Sequence, residues 1–141
     1  MKTASFNILK NSDIEGGVSI TLLPSNSPEI IFEYKALAPN WRFWNDFKKK
    51  KISEKKFIIE YQSMLNELNS KHVIEHLNFL TGGLEPILMC NCAKTKFCHR
   101  HLVADWLEQE SGLIIKELNF PDLVRKDGYL VKQKNPSLFP E

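Results

Sequence analysis

The stretch that decides the fold is residues 86–107, PILMCNCAKTKFCHRHLVADWL, where an apolar run, a cysteine-rich turn and an amphipathic segment follow one another. Pro86–Cys92 is almost continuously apolar, which is typical of a strand buried in a parallel sheet. From about Cys98 to Glu110 the apolar residues recur at helical spacing, and Ser111-Gly112 ends the helix. The stretch therefore predicts a strand, a loop and a helix, with a candidate site at their junction.

Further strands and helices around this unit are predicted by the same patterns. Leu113–Leu118 predicts a strand after the helix, and a strand, helix and strand in close succession favour a parallel pair. The remaining predicted elements are strands Ser5–Leu9 and Val18–Leu23, helix Trp41–Lys49 capped by Asn40, and two helices capped by Ser53 and Ser70. We expect a three-layer α/β sandwich, with a mostly parallel sheet and helices on both faces.

Composition is that of one ordinary globular domain. The chain has 141 residues, 43% hydrophobic and 26% charged, so we expect a single α/β domain over residues 1–118 and a C-terminal extension over 119–141. A formal charge of +2 is too small to indicate nucleic acid or a membrane as partner by itself. No run approaches the roughly 20 apolar residues of a membrane span, and the N-terminus lacks a signal-peptide core. We therefore expect a cytoplasmic protein with no membrane partner.

All three cysteines and two of the four histidines lie between Cys90 and His101. In a reducing compartment, three clustered cysteines argue against a structural disulfide framework. A thiol near a helix N-terminus and beside a cation favours the thiolate, and Cys98 meets that description. Nucleophilic catalysis would use Cys98 as the thiolate and His99 or His101 as acid or base. The alternative is that Cys98 is a small buried residue packing the turn.

Arg100 is unusual at a helix start, because the helix dipole disfavours a cation there. An anion bound between Arg100 and the free N–H groups would reverse that penalty, so the sequence indicates a phosphate-bearing ligand such as a nucleotide or nucleic-acid end. The alternative is an arginine that is solvated or paired with a carboxylate. A phosphatase loop is not supported, because the sixth residue after Cys90 is Lys96 and the sixth after Cys92 is Cys98.

A metal or redox site is the second hypothesis. Cys90, Cys92, Cys98 and His99 supply four ligands of the kind that tetrahedral zinc prefers, although C-x-C-x5-C-H is not a usual zinc pattern. We therefore expect no cofactor, and zinc is the alternative. The third hypothesis is a non-catalytic interaction module, in which the run Lys48–Lys51 or the C-terminal tail meets a partner. The residues leave open whether the protein is an enzyme, and its oligomeric state.

Three segments together resemble the domain of unknown function 488 (DUF488) family. They are Tyr34–Trp41 (YKALAPNW), Lys51–Glu54 with Tyr61, and Phe97–Leu107 (FCHRHLVADWL), and the resemblance runs from about Val18 to Glu117. It implies an α/β fold and places Cys90, Cys98, His99 and Arg100 on the family's motif. It also implies that Tyr34, Lys35 and Pro39 line the same cleft, with Tyr34 and Lys35 as ligand-binding residues beside Arg100 and Cys90.

One position departs from the family's pattern. An acidic residue is expected two positions after the first cysteine, and this chain has Cys92 there. This chain therefore lacks that carboxylate at this position, and the third thiol strengthens the metal and redox hypotheses. The family name states no activity, so the resemblance implies the architecture and leaves the reaction open.

Overall fold

The computed structural model describes residues 1–11, 14–23, 32–93 and 96–133. Its strands are β1 (Lys2–Ser5), β2 (Gly17–Ser19), β3 (Phe32–Glu33), β4 (Ile87–Cys90), β5 (Lys116–Glu117), β6 (Leu123–Lys126) and β7 (Tyr129–Lys132). Its α-helices are α1 (Trp41–Lys48), α2 (Glu54–Asn66), α3 (Ser70–Leu80) and α4 (His99–Ser111), and 3₁₀ helices span Phe6–Asn11 and Lys35–Leu37.

Five of these strands form one parallel sheet in the order β3-β2-β4-β1-β5, and β6 pairs with β7 in a separate antiparallel hairpin. Side chains alternate between the two faces of the sheet. Val18 and Leu88 belong to the larger core with the α-helices, whereas Ala4 and Met89 belong to a smaller core on the other face. The 3₁₀ helix Phe6–Asn11 contributes to that second core. The predicted three-layer α/β fold with a mostly parallel sheet is confirmed.

The helix starts follow from capping side chains. The side chains of Asn40 and Ser53 accept hydrogen bonds from the N–H groups of Arg42 and Lys56, so both predicted caps are confirmed. The third cap is Asn69, not Ser70: Asn69 Oδ1 accepts from the His72 N–H at 3.1 Å. Asn69 is still extended and can fold its side chain back, whereas Ser70 is already the first helical residue.

The first strand was misplaced by its apolar pattern. The strand is Lys2–Ser5, and the predicted strand Ser5–Leu9 falls mostly in the 3₁₀ helix. Phe6 and Ile8 are apolar because they pack on the second sheet face. The strands were also predicted longer than they are. Pairing is confined to Ile87–Cys90 within the predicted Pro86–Cys92, and to Lys116–Glu117 within the predicted Leu113–Leu118. Pro24 and Pro28 predict a loop, and Asn11-Ser12-Asp13 predicts a polar turn. Residues 24–28 of that loop and 12–13 of that turn lie outside the described residues.

β4 and β5 run parallel, as predicted, but they are not neighbours. The N-terminal strand β1 lies between them and pairs with both. Thr3 is opposite Leu88 on one side and Glu117 on the other. The pattern of the βαβ unit contains no signal for this insertion, because the inserted strand comes from the far end of the chain.

The β6–β7 hairpin lies within the predicted C-terminal extension and packs on the start of α4. Its turn has Asp127 and Gly128 at positive φ (51° and 85°), which is typical of a tight hairpin turn. The carbonyl of Gly128 accepts a hydrogen bond from the backbone N–H of Cys98 at 2.9 Å. Arg125 of the hairpin donates to Asp105 of α4 at 2.7 Å. The hairpin therefore holds the residue at which α4 begins.

Within the described part of the chain, every helix is too short or too polar to cross a bilayer.

Gly128→Ala should lower the free energy of unfolding more than Gly82→Ala does. Both glycines have positive φ, so alanine costs about 1–2 kcal/mol at either position. At Gly128 the new methyl group would also overlap the ring of Phe97, at about 1–3 kcal/mol more, whereas at Gly82 no atom lies within 4 Å. Urea unfolding of the two variants measures the difference, and equal losses would contradict docking of the hairpin on Phe97.

Candidate functional site

Three sulfur atoms meet at the carboxyl edge of the sheet. Cys90 is the last residue of β4, Cys98 is the residue before α4, and Cys92 lies in the loop between them. Their Sγ atoms all lie within 4.8 Å of one another. The strand places Cys90 under α4, and the chain then bends so that Cys92 can return towards it. Alternate residues of a strand point to opposite faces, and this bend is what allows Cys92 to lie beside Cys90.

The three cysteines differ in pairing and exposure. Cys90 and Cys98 are buried and paired as a disulfide, whereas Cys92 is a free, half-buried thiol. Burial raises the pKa of Cys92, against the opposing effect of the charges on Lys48 and Arg100. The pairing of Cys90 with Cys98 corrects the expectation that the cysteines form no structural disulfide framework. That expectation came from cysteine number and compartment, and it took no account of the local approach of these two residues.

Arg100 is completely buried beneath the sulfur cluster. Its Nε and Nη2 donate to the two carboxylate oxygens of Glu117 at 3.2 and 2.9 Å. Its Nη1 donates to Cys90 Sγ at 3.0 Å and to the carbonyl of Cys92 at 3.2 Å. The guanidinium thus joins the ion pair to the sulfur cluster, and the carboxylate-paired alternative describes Arg100 in this structure.

Glu117 is the functional neighbour that the sequence reasoning missed. It lies on β5, is 4% exposed, and also accepts a hydrogen bond from Thr3 Oγ1 at 2.7 Å. A charged residue within the predicted strand Leu113–Leu118 was the available signal, because a carboxylate inside a buried strand needs a cationic partner. The partner is supplied by the helix that the strand follows.

His99 connects the start of α4 to the end of β2. Its Nε2 lies 2.7 Å from the carbonyl oxygen of Ile20, and its ring meets Tyr61 edge to face with centroids 5.7 Å apart. Because a carbonyl only accepts, Nε2 carries the proton in this bond. Burial is the main cause that lowers the pKa of His99 to about 4, so the ring is neutral at pH 7. These contacts are those of a positioning residue.

His101, the other candidate acid or base, lies deeper. It is fully buried, and among the described residues neither ring nitrogen has a hydrogen-bond partner. Burial, followed by the charge of Arg100, lowers the pKa of His101 to about 3. His101 is therefore also neutral at pH 7.

Tyr34 and Lys35 follow β3 and so lie at the same edge of the sheet, but their hydrogen bonds are to residues other than the three cysteines and Arg100. The Tyr34 hydroxyl lies 3.0 Å from Nδ1 of the exposed His76. Lys35 Nζ donates to the carbonyls of Thr21 and Leu22, at 3.0 Å each. Lys35 thereby braces the segment that begins at Ile20, the residue held by His99. Their direct contact with a ligand stays a prediction.

The fold and this edge define a class: a parallel α/β protein with a cysteine and arginine centre at the carboxyl ends of its strands. A family model described as DUF488-N3a, the active DUF488-N3 subclade, matches residues 21–111. The chain belongs to the DUF488 family, and the family predicted from the sequence is confirmed. The matched region contains all three cysteines, His99 and Arg100. No curated protein and no solved structure matches the chain.

Glu117→Ala should destabilise the protein by about 3–5 kcal/mol, because it leaves the Arg100 charge buried without a partner. The matched control is Glu60→Ala, which removes the carboxylate from the exposed Lys56–Glu60 pair and should cost no more than about 1 kcal/mol. Urea unfolding at pH 7 compares them. Similar losses in the two variants would show that Arg100 does not depend on Glu117.

Stability should fall as the pH drops below about 6.5. The pKa values of His99 and His101 in the folded state are about 4 and 3, so between those values and 6.5 the unfolded chain binds more protons. Between pH 6.5 and 5 we expect a loss of about 1–2 kcal/mol for each histidine. Urea unfolding across this range measures the slope, with the exposed-histidine variant His72→Gln as control. A His101→Phe variant should have a shallower slope, and an unchanged slope would contradict the assignment.

Proposed function

We propose that the protein performs thiol–disulfide exchange, with Cys90 and Cys98 as its redox pair and Cys92 as the thiol through which substrates reach them. The observation that carries the proposal is the approach of three sulfur atoms within 4.8 Å, with a buried guanidinium bonded to one of them. An isolated buried cysteine is usually inert packing. Three cysteines and a cation converging on one point support chemistry at sulfur.

Arg100 has a defined role in this chemistry. Its Nη1–H donates to Cys90 Sγ, so it would stabilise negative charge when the Cys90–Cys98 bridge is reduced. The two bonds to Glu117 hold the guanidinium in that orientation. Arg100 acts on the leaving or attacking sulfur, and Glu117 positions Arg100.

Access favours Cys92 as the thiol that meets the substrate, because Cys90 is completely buried and Cys98 is 2% exposed. In the reduced protein, the thiolate fraction of Cys92, which is small at pH 7 because burial raises the pKa of the thiol, attacks a substrate disulfide RSSR, forms a mixed disulfide and releases RS⁻. The Cys98 thiolate attacks Cys92 Sγ and releases the second RS⁻. The Cys90 thiolate then attacks Cys98 Sγ and frees Cys92. Two protein thiols are oxidised to one disulfide, and RSSR is reduced to two RSH.

A phosphate-bearing ligand is less well supported. The hypothesis required an Arg100 that is accessible to an anion and has no carboxylate partner, and neither condition is met. Arg100 is completely buried, and its charge is already balanced by Glu117. A phosphate would have to displace that carboxylate. In the redox proposal Cys98 keeps a catalytic role. His99 is neutral and bonded to Ile20, so it is better suited to positioning than to acid–base catalysis.

The test is the rate at which oxidised glutathione converts the fully reduced protein to the Cys90–Cys98 bridge, followed by alkylation and peptide mass spectrometry. We expect Cys92→Ser to slow bridge formation about tenfold or more, because the intramolecular relay is lost. His72→Gln, remote from the cysteines, should leave the rate unchanged. The unfolded chain in urea provides the second control, since it has the same thiols without the assembly.

A folded protein that forms the bridge no faster than the unfolded chain would overturn the proposal. Millimolar inorganic phosphate is included in a parallel reaction. If phosphate protects Cys98 from alkylation and the bridge does not form, the phosphate hypothesis replaces the redox one.

A further inference from the structure

We propose that the reduced cysteines Cys90, Cys92 and Cys98 bind one divalent thiophilic cation, of the chemical class of Zn²⁺, through three sulfur ligands and an open fourth position. This goes beyond thiol–disulfide exchange, because it assigns the same sulfur atoms a ligand in their reduced state. His99 lies outside the ligand set.

The spacing of the sulfur atoms suits a shared ion. With Zn–S bonds of about 2.3 Å, three ligand sulfurs around one ion lie about 4 Å apart. The three Sγ atoms lie within 4.8 Å of one another while Cys90 and Cys98 are still bridged. Reduction breaks the Cys90–Cys98 bond, so these two sulfurs are then free to separate to the ligand spacing.

The position of His99 leaves it outside the ligand set. Its Nε2–H is donated to the carbonyl of Ile20 at 2.7 Å, and its ring is packed against Tyr61. A histidine held in this way can bind a metal through Nδ1, but His99 is not among the side chains whose ligand atoms converge here. The described metal-ligating side chains that converge here are the three cysteines alone. The four-ligand set inferred from the sequence therefore becomes a three-ligand set.

Charge balance selects a divalent ion. Three thiolates carry a charge of −3, which a divalent cation reduces to −1 and a monovalent cation only to −2. Arg100 and Glu117 nearly cancel each other, so they do not alter the comparison. In a buried cluster the smaller residual charge is favoured. Arg100 Nη1 also donates to Cys90 Sγ, which is the hydrogen bond that orients a ligand sulfur around a metal.

Exposure places the open position on the Cys92 side. Cys92 is half-buried, whereas the sulfurs of Cys90 and Cys98 are enclosed by the sheet and α4. Three protein ligands and one exchangeable position is the arrangement of catalytic rather than structural zinc. Binding displaces three protons from three thiols. The Cys90–Cys98 bridge must first accept two electrons and two protons, which a dithiol such as dithiothreitol supplies.

The experiment uses full-length protein reduced with dithiothreitol and then freed of it under nitrogen. Equilibrium dialysis against Zn²⁺ should give one ion per chain, with three protons released per ion by pH-indicator titration. Co²⁺ as a probe should give a thiolate-to-metal charge-transfer band. His99→Gln should retain one ion, whereas Cys92→Ser should weaken binding about 100-fold.

Folding of each variant is checked by circular dichroism. Alkylation of the wild-type chain gives a measurement that needs no variant: Zn²⁺ should protect Cys92, the thiol that is accessible in the folded protein. Binding of less than one ion per chain, or a Cys92 that is alkylated equally fast with and without Zn²⁺, would overturn the proposal. Loss of the ion in a folded His99→Gln variant would overturn it in favour of four ligands.

This test separates metal binding from redox chemistry. Bridge formation with oxidised glutathione is measured in metal-free protein containing a chelator, so it succeeds or fails independently of the zinc result. A protein that forms the bridge rapidly but binds no Zn²⁺ retains the proposed function and refutes only this inference.

Discussion

The buried pair between Arg100 and Glu117 is the constraint on which the rest of this structure depends. A guanidinium with no exposed surface is tolerated only when its charge and donors are satisfied. Both carboxylate oxygens of Glu117 accept hydrogen bonds from Arg100, and Thr3 donates a further one to that carboxylate. The remaining Nη1 group of Arg100 donates to Cys90 Sγ and to the carbonyl of Cys92. The pair therefore fixes α4 against three neighbouring strands at once.

The same ion pair holds the positive charge of Arg100 beside Cys90 Sγ. Because Glu117 balances Arg100, the guanidinium can lie under Cys90 without an external anion, and the cysteine cluster takes the place that the phosphate hypothesis had given to a ligand. The hairpin adds a second support, since the carbonyl of Gly128 accepts a hydrogen bond from the backbone N–H of Cys98. One buried arginine and one carbonyl of the hairpin thus position the two paired cysteines. Redox exchange and metal binding are two uses of this placement.

Much of the architecture could be predicted from local chemistry. Asn40 and Ser53 are recognisable caps because a side-chain oxygen two or three residues before a free N–H is a local relationship. The apolar run before Cys90 and the helical spacing after Cys98 predicted β4 and α4, which bracket the candidate site. Ser5–Leu9 failed as a strand because Phe6 and Ile8 are apolar for packing, and apolarity does not distinguish a short strand from a 3₁₀ helix.

The sequence by itself determined the parallel α/β class, the family, and the concentration of reactive side chains between Cys90 and His101. Each is carried by short segments, within which the residues that form a pattern are close together in the chain. Tertiary structure alone decided that β1 lies between β4 and β5 and that Glu117 forms the ion pair with Arg100. It also decided that His99 bonds to the carbonyl of Ile20 and lies outside the cysteine cluster. These pairings join residues that are distant in sequence or on different elements, and their energies depend on burial, which arises only when the chain has folded.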